Sequence, residues 1–394
     1  MLIMTDVLVL GAGYAGLRAC KQLAKSKLDL NITLVNKNSY NYDATALETV
    51  AAGATAPENI MMDIADVTSN KVHFIQDEVE VINRNQNSVV LKNSKQELKY
   101  DYLFNALGFE PETFGTPGAD EYALQISNID NAVADYETVV KHLETYQKTG
   151  NKDYLSMVVV GGGLTSAELL GELVHQIPKW ARKYGFDKAD FQLTCIGPNL
   201  LSMFDEKQRA YAQRYLEKHG VKFILGQNVK SVSDTGVIYG DNNHNLPART
   251  VFWTAGVSGS HVIEKSGYPE HRDRVAVNDD MTSPTNANEY IIGDVAAVKD
   301  QSTGRFYPPT GQIAIQEANI AVANLKAKLT HSKPVPFTYR SLGTVCSLGP
   351  TTGIAYDLLG FPIKLTGILV PTIKNLIFKR SAFELSGLKA ALQR

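Results

Sequence analysis

Apolar residues fall into two rhythms along this chain. A strand-like run, Asp6–Leu10, apolar from Val7 on, is followed by helical spacing at Leu17, Cys20, Leu23 and Ala24, then by a second run, Ile32–Val35. The change from short apolar run to a 3.6-residue period and back predicts a strand–helix–strand unit over residues 6–35. The same succession returns from Ser156–Val160, through a helix expected to stop near Pro178, to Phe191–Ile196. A hairpin-rich stretch lies between the two units, with short strands at Val72–Ile75, Val79–Ile82, Ser88–Leu91 and Leu98–Tyr100. Tyr102–Gly108 then reads as a strand returning to the first sheet. Asn128–Thr149 shows helical spacing closed by Gly150. Beyond the second unit the pattern predicts a helix over Glu206–His219 and strands at Lys222–Leu225 and Thr250–Trp253. A further strand ends in Gly293-Asp294, and a helix opens at Gly311.

This order implies an α/β protein with two Rossmann-like dinucleotide-binding domains, one inserted in the other. The first is read as residues 1–110 and 279–327, the second as 111–278, and residues 328–394 as a C-terminal region. Both units carry a glycine-rich loop directly after the first strand. The first is Gly11-Ala12-Gly13-Tyr14-Ala15-Gly16, and the second is Gly161-Gly162-Gly163-Leu-Thr-Ser166. Such a loop turns sharply, brings its backbone against a pyrophosphate, and lets the next helix pack closely on the strand. The helix N-terminus then offers free N–H groups and roughly half a positive charge to the phosphates. Asn36 ends the second strand of the first unit, twenty residues past Gly16, where a ribose-contacting side chain belongs. In the second unit Ser166 replaces the third glycine, and the corresponding strand ends in Gly197-Pro198. Neither an acidic residue for a ribose 2′-hydroxyl nor an Arg for a 2′-phosphate stands there. Two loops in one chain point to two dinucleotides held face to face for electron transfer.

Composition narrows the classes. With 394 residues, 44% hydrophobic and 20% charged, the chain is long enough for two or three domains with a large core. A net charge of −2 argues against nucleic acid as a partner. The three cysteines, Cys20, Cys195 and Cys346, are far apart and form no CxxC pair, which fits a reducing compartment. The eight histidines show no ligand spacing, so no metal is expected. No signal peptide is read at the N-terminus, and Met1–Thr5 is read as a short extension. No run of about twenty apolar residues exists to span a bilayer.

The motifs Gly11–Gly16, Thr33–Asn38, Tyr40–Tyr42, Phe109–Gly115, Trp253–Val257, Ile292–Asp294, Pro309–Gln316 and Gly343–Gly349 occur in an order that resembles bacterial type II NADH dehydrogenases. These are single-subunit, non-proton-pumping NADH:quinone oxidoreductases. The resemblance implies FAD in the first loop, NADH in the second, and a C-terminal region lying on the cytoplasmic face of the cell membrane. It places Gly11 to Ala15, Lys37, Asn38 and Val79 at FAD, alongside Gly16 and Asn36 read from the loop itself, with Asp294 at the ribityl chain and Gly311 at the flavin ring. It puts NADH on the loop Gly161-Gly162-Gly163 and assigns the functional acid near the nicotinamide to Glu172, with Glu168 a further candidate contact from its helix position. Glu168 and Glu172 are four apart and share one helix face. Gln312 and Gln316 resemble the quinone-site glutamines, whose neutral amides hydrogen-bond a quinone without burying charge. The chain departs from the pattern with Gly311 where Ala is usual and Glu317 where Gln is usual.

The C-terminal segment 357–394 holds six Lys/Arg and two Asp/Glu, a net +4 against −6 for the rest. Its longest uncharged run, Leu365–Ile373, is nine residues, too short to cross a bilayer. Leu369, Val370, Ile373, Leu376 and Ile377 are read as an apolar stripe, with Lys374, Lys379 and Arg380 reaching lipid head groups. The resemblance also makes Lys374 a candidate flavin contact. The alternative for this segment is packing on the chain's own core or on a second copy in a homodimer. Two further functions compete with quinone reduction. One is a soluble flavin oxidase or reductase using oxygen or another small-molecule acceptor, and the other is a non-catalytic NADH sensor. Thiol relay is disfavoured by the lack of a cysteine pair.

Overall fold

A computed structural model describes residues 4–386 of the chain; residues 1–3 and 387–394, which end the two terminal segments just discussed, lie outside it. The elements that build the site follow in chain order. They are β1 (Thr5–Leu10), α1 (Tyr14–Ala24), β2 (Leu30–Asn36), α2 (Leu47–Ala51), β3 (Val72–Gln76), β4 (Tyr102–Asn105), α3 (Ile129–Thr149) and β5 (Ser156–Val160). After these come α4 (Leu164–Tyr184), β6 (Gln192–Gly197), α5 (Glu206–Lys218), β7 (Val221–Leu225), β8 (Thr250–Trp253) and β9 (Asn286–Ile291). The chain closes with α6 (Gly311–Leu329), β10 (Thr344–Ser347), β11 (Gly353–Tyr356) and α7 (Leu369–Ser386).

The first sheet runs β9-β4-β1-β2-β3, all parallel, with the short antiparallel strand Thr282–Ser283 at its edge. It therefore draws on residues before 106 and after 281, with the second sheet between them in sequence. That second sheet runs β7-β6-β5-β8 and is all parallel. Strands buried on both faces need near-continuous apolar residues. Val7–Leu10 and Met157–Val160 are buried throughout for this reason. Helix α1 packs its buried face, Leu17, Cys20 and Leu23, between the first sheet and α6.

Two elements differ from the sequence expectation. Val72–Gln76 is not part of a hairpin; it is the parallel edge strand β3, paired Ile32↔Val72 through Asn36↔Gln76. A five-residue apolar run carries no mark of parallel or antiparallel pairing, so only the sheet decides. Helix α4 does not stop near Pro178 but continues to Tyr184. Pro178 removes one backbone donor. The apolar face continues through Ile177, Trp180 and Tyr184, all buried, and packing of that face offsets the lost hydrogen bond.

The C-terminal part folds back on this frame. Strands β10 and β11 form an antiparallel pair, and both α4 and α7 pack against β10. Gly171 makes the α4 approach possible, because a Cβ there would overlap the backbone at Leu348–Gly349. No described helix is long and apolar enough to cross a membrane.

Candidate functional site

The two glycine loops are cradles of similar build. A Cβ on Gly11 would overlap the Ala106 carbonyl oxygen, and one on Gly16 would overlap the Gly11 carbonyl oxygen. Gly13, by contrast, has open space where its Cβ would project. The first and third glycines thus close strand on helix, and the second leaves room for a ligand to reach the backbone at the N-terminus of α1. In the second loop Gly161 has φ +131° and lies 2.8 Å from the Thr254 carbonyl oxygen at its Cβ position, while Gly163 faces open space. Ser166 is fully buried, and its hydroxyl is 2.8 Å from Thr254 Oγ1, so the missing third glycine is replaced by a hydrogen bond.

Several first-cradle residues hold the cradle itself. Asn36 Oδ1 accepts from the Ala12 N–H at 2.9 Å, and its amide donates to the Asn38 carbonyl at 2.9 Å. Its carboxamide thus braces the loop at the end of β2. Asn41 is buried and donates to the Ala12 carbonyl at 2.6 Å. Lys37 is exposed, Asn38 is half-buried, and Val79 is buried at the start of the hairpin after β3. Two tyrosine contacts explain a departure from the family pattern. The Tyr14 hydroxyl bonds the Asp43 carboxylate, and a Cβ on Gly311 would stand 3.1 Å from the Tyr14 ring. Gly311 gives that ring its room.

Beside the N-terminus of α6, Asp294 follows β9, and burial pushes its carboxyl up to about 6 while Arg274 opposes the shift. Glu317 is buried and accepts the Gly293 N–H at 2.6 Å. Burial raises it to about 8, against the pull of that N–H, with the Asp294 charge adding to the rise. A carboxyl held largely neutral explains how Glu replaces Gln here without an unpaired buried charge.

A buried ionic group joins α2, α4 and α7. Lys374 Nζ, on α7, donates to Glu168 Oε1 at 2.6 Å and stands 3.5 Å from Glu48 Oε1 on α2. Glu168 also accepts the Ser347 N–H at 3.0 Å, which the close approach at Gly171 permits. Glu48 Oε1 accepts no hydrogen bond. Burial pushes the Glu48 carboxyl up to about 8; Lys374 works against this and the Glu168 charge adds to it. Burial would lower the Lys374 ammonium, but the two carboxylates override it and raise it above its ordinary value.

The structure thus redistributes the predicted roles. Glu168 holds Lys374, and Glu172, one turn on, is half-buried and raised by burial with no hydrogen bond among the described contacts. Lys374 points into the protein, not toward lipid. Glu48, Asp43, Arg274 and Glu317 escaped the sequence reading; only Glu317 carried a signal, its departure from the family motif. Gln312 and Gln316 come together, but their amides are occupied. Gln312 accepts the Leu342 N–H and donates to the Gly343 carbonyl, both at 3.0 Å. Gln316 accepts the Arg340 N–H at 3.0 Å and donates to the Arg340 carbonyl at 2.9 Å. Each side chain mimics a peptide group and clamps segment 340–343. Cys195 is buried within β6 and Cys346 within β10, and burial raises both thiols.

Comparison with known proteins matches this frame. A family model for pyridine nucleotide-disulphide oxidoreductases matches residues 5–318. The type II NADH:quinone oxidoreductase of Staphylococcus haemolyticus is 36% identical over 397 aligned positions, covering 98% of each chain. The Staphylococcus aureus protein of the same name is 35% identical with the same coverage. The structure of NDH2 from Plasmodium falciparum in complex with NADH superposes with a TM-score of 0.85 at 17% identity, covering 97% of this chain and 96% of that one. The chain therefore belongs to the pyridine nucleotide-disulphide oxidoreductase family, and within it to the type II NADH:quinone oxidoreductases.

Proposed function

We propose that this chain oxidises NADH through a bound FAD and passes two electrons to a quinone at a membrane surface, without proton pumping. The observation that carries the reading is the pair of open glycine cradles, each at the C-terminal edge of a parallel sheet. The residues present fit FAD in the first: an unobstructed backbone at Gly13 beneath the α1 N-terminus, and a half-buried carboxyl at Asp294 suited to sugar hydroxyls. Bound there, FAD supplies two-electron hydride acceptance and release.

The protein's own part is positioning, exclusion of water and proton supply. NADH delivers a hydride, whereas a quinol carries two electrons and two protons, so one proton comes from the medium. Glu48 is a buried acid, held near neutral pH in its protonated form beside the Glu168–Lys374 pair, and is suited to hold that proton. Glu48 and Glu168 are buried and Lys374 is largely covered, so the ionic group is shielded from bulk water. The exposed apolar residues Phe361, Ile363, Ile368, Leu369, Leu376 and Ile377 support seating on a lipid surface, Ile368 being 76% and Leu369 65% exposed.

Anaerobic titration with NADH tests the reading. The flavin should bleach with one equivalent of NADH and recolour rapidly with a water-soluble quinone but slowly with air. A colourless protein that refuses added flavin would sink it, and recolouring faster with air than with quinone would favour an oxidase.

A further inference from the structure

A cavity of about 300 Å3 opens at the C-terminal edge of the second sheet, lined by Pro198, Asn199, Leu225, Glu206, Arg209 and Gln213 among others. It adjoins the second glycine loop. The Leu201 N–H donates to the Gly162 carbonyl at 2.6 Å, and a Cβ on Gly162 would overlap the Asn199 carbonyl oxygen. Residues 198–200 are therefore the floor shared by loop and cavity. Where β6 ends, a dinucleotide domain ordinarily presents an acidic side chain to the adenosine ribose. Gly197 fills that place here, and the geometry explains why: a Cβ would stand 3.1 Å from the Gly161 carbonyl carbon, so the loop leaves little room for a side chain.

Resting on the reading of this chain as an NADH:quinone oxidoreductase, we propose that Glu206 and Arg209 of α5 take over recognition at the adenosine ribose and set preference for NADH over NADPH. Glu206, Arg209, Ala210 and Gln213 recur at i, i+3, i+4 and i+7, so one face of α5 forms the cavity wall. Glu206 is exposed, and Arg209, one turn further along α5, lines the same cavity, which sets a carboxylate and a guanidinium side by side on its wall. A ribose 2′-hydroxyl satisfies both groups, donating to the carboxylate and accepting from the guanidinium. A 2′-phosphate pairs with Arg209 but sets its negative charge against Glu206.

The test measures kcat/KM for NADH and NADPH, with flavin reduction followed anaerobically, on the FAD-loaded full chain. The unaltered protein should favour NADH. Glu206→Gln should move the NADH-to-NADPH ratio toward NADPH by about tenfold or more, the scale of one charged hydrogen bond. The shift should lie in KM, with the limiting flavin-reduction rate little moved. Adding Arg209→Ala to that variant should abolish the gain for NADPH, and Arg209→Lys should keep part of it. A ratio unchanged in Glu206→Gln overturns the proposal, as does a gain that survives loss of Arg209. Failure of NADH to reduce the flavin in the unaltered chain instead removes the underlying reading.

Discussion

Replacing Lys374 with Met isolates the energetics of the buried ionic group. Methionine keeps most of the side-chain volume and removes the ammonium that stands 2.6 Å from Glu168 and 3.5 Å from Glu48. Removing one partner of a buried pair costs about 3–5 kcal/mol, because the remaining charge is left without compensation. Unfolding entropy of about 2.1 cal/mol/K per residue makes a 394-residue chain worth roughly 0.8 kcal/mol/K. A cost of about 4 kcal/mol then lowers the thermal midpoint by roughly 5 °C. The loss depends on pH, and its sign follows from proton binding. Glu48 is raised in the folded state by burial, and loss of the opposing ammonium raises it further, so its contribution is fully present below the unfolded carboxylate range and is lost as pH rises. The deficit relative to the unaltered chain should therefore be small near pH 5 and largest above about pH 8, where Glu48 ionises even beside Lys374. Adding Glu168→Gln should recover part of it at high pH. Calorimetry of the FAD-saturated protein at several pH values is the assay. A deficit that is equal at both ends of the range, or absent altogether, would refute the assignment.

Two smaller predictions follow from the cradles and the clamp. Gly16→Ala should leave a folded but largely colourless protein, read as flavin absorbance per chain after desalting; a variant as yellow as the parent contradicts the packing argument. Gln312→Ala with Gln316→Ala removes four hydrogen bonds to segment 340–343, each worth about 0.5–1.5 kcal/mol net, and should speed tryptic cleavage after Arg340. Unchanged cleavage would show that something else holds the segment.

How much of this was legible in the sequence depended on whether a signal was local. The glycine loops and the strands before them were plain, because strand burial and helix spacing are written within about thirty residues. Thr250–Trp253 and the helix opening at Gly311 were read at the observed positions for the same reason. Pro178 misled because the packing that carries α4 past it comes from distant residues. The choice between Glu168 and Glu172 was not local either. Both lie on one face of α4, and only the approach of β10 at Gly171 selects the first. Lys374 was read from a charge pattern that fits a lipid surface, yet its partners sit on α2 and α4, over 200 residues away in sequence. Glu48 gave no sign at all, since an acidic residue in a short helix is ordinarily solvated.

Helix α7 presents grease outward at Leu376 and Ile377 while Val370, Lys374 and Phe378 face the interior. A one-residue slip turns an α-helix by about 100°, which would carry the ammonium out of its carboxylate nest and the oily edge into the core. Insertions or deletions before residue 374 within this helix are thus barred, whatever they do for lipid contact. The exposed apolar edge and the buried ionic group share one rotational setting, and selection on either is selection on both.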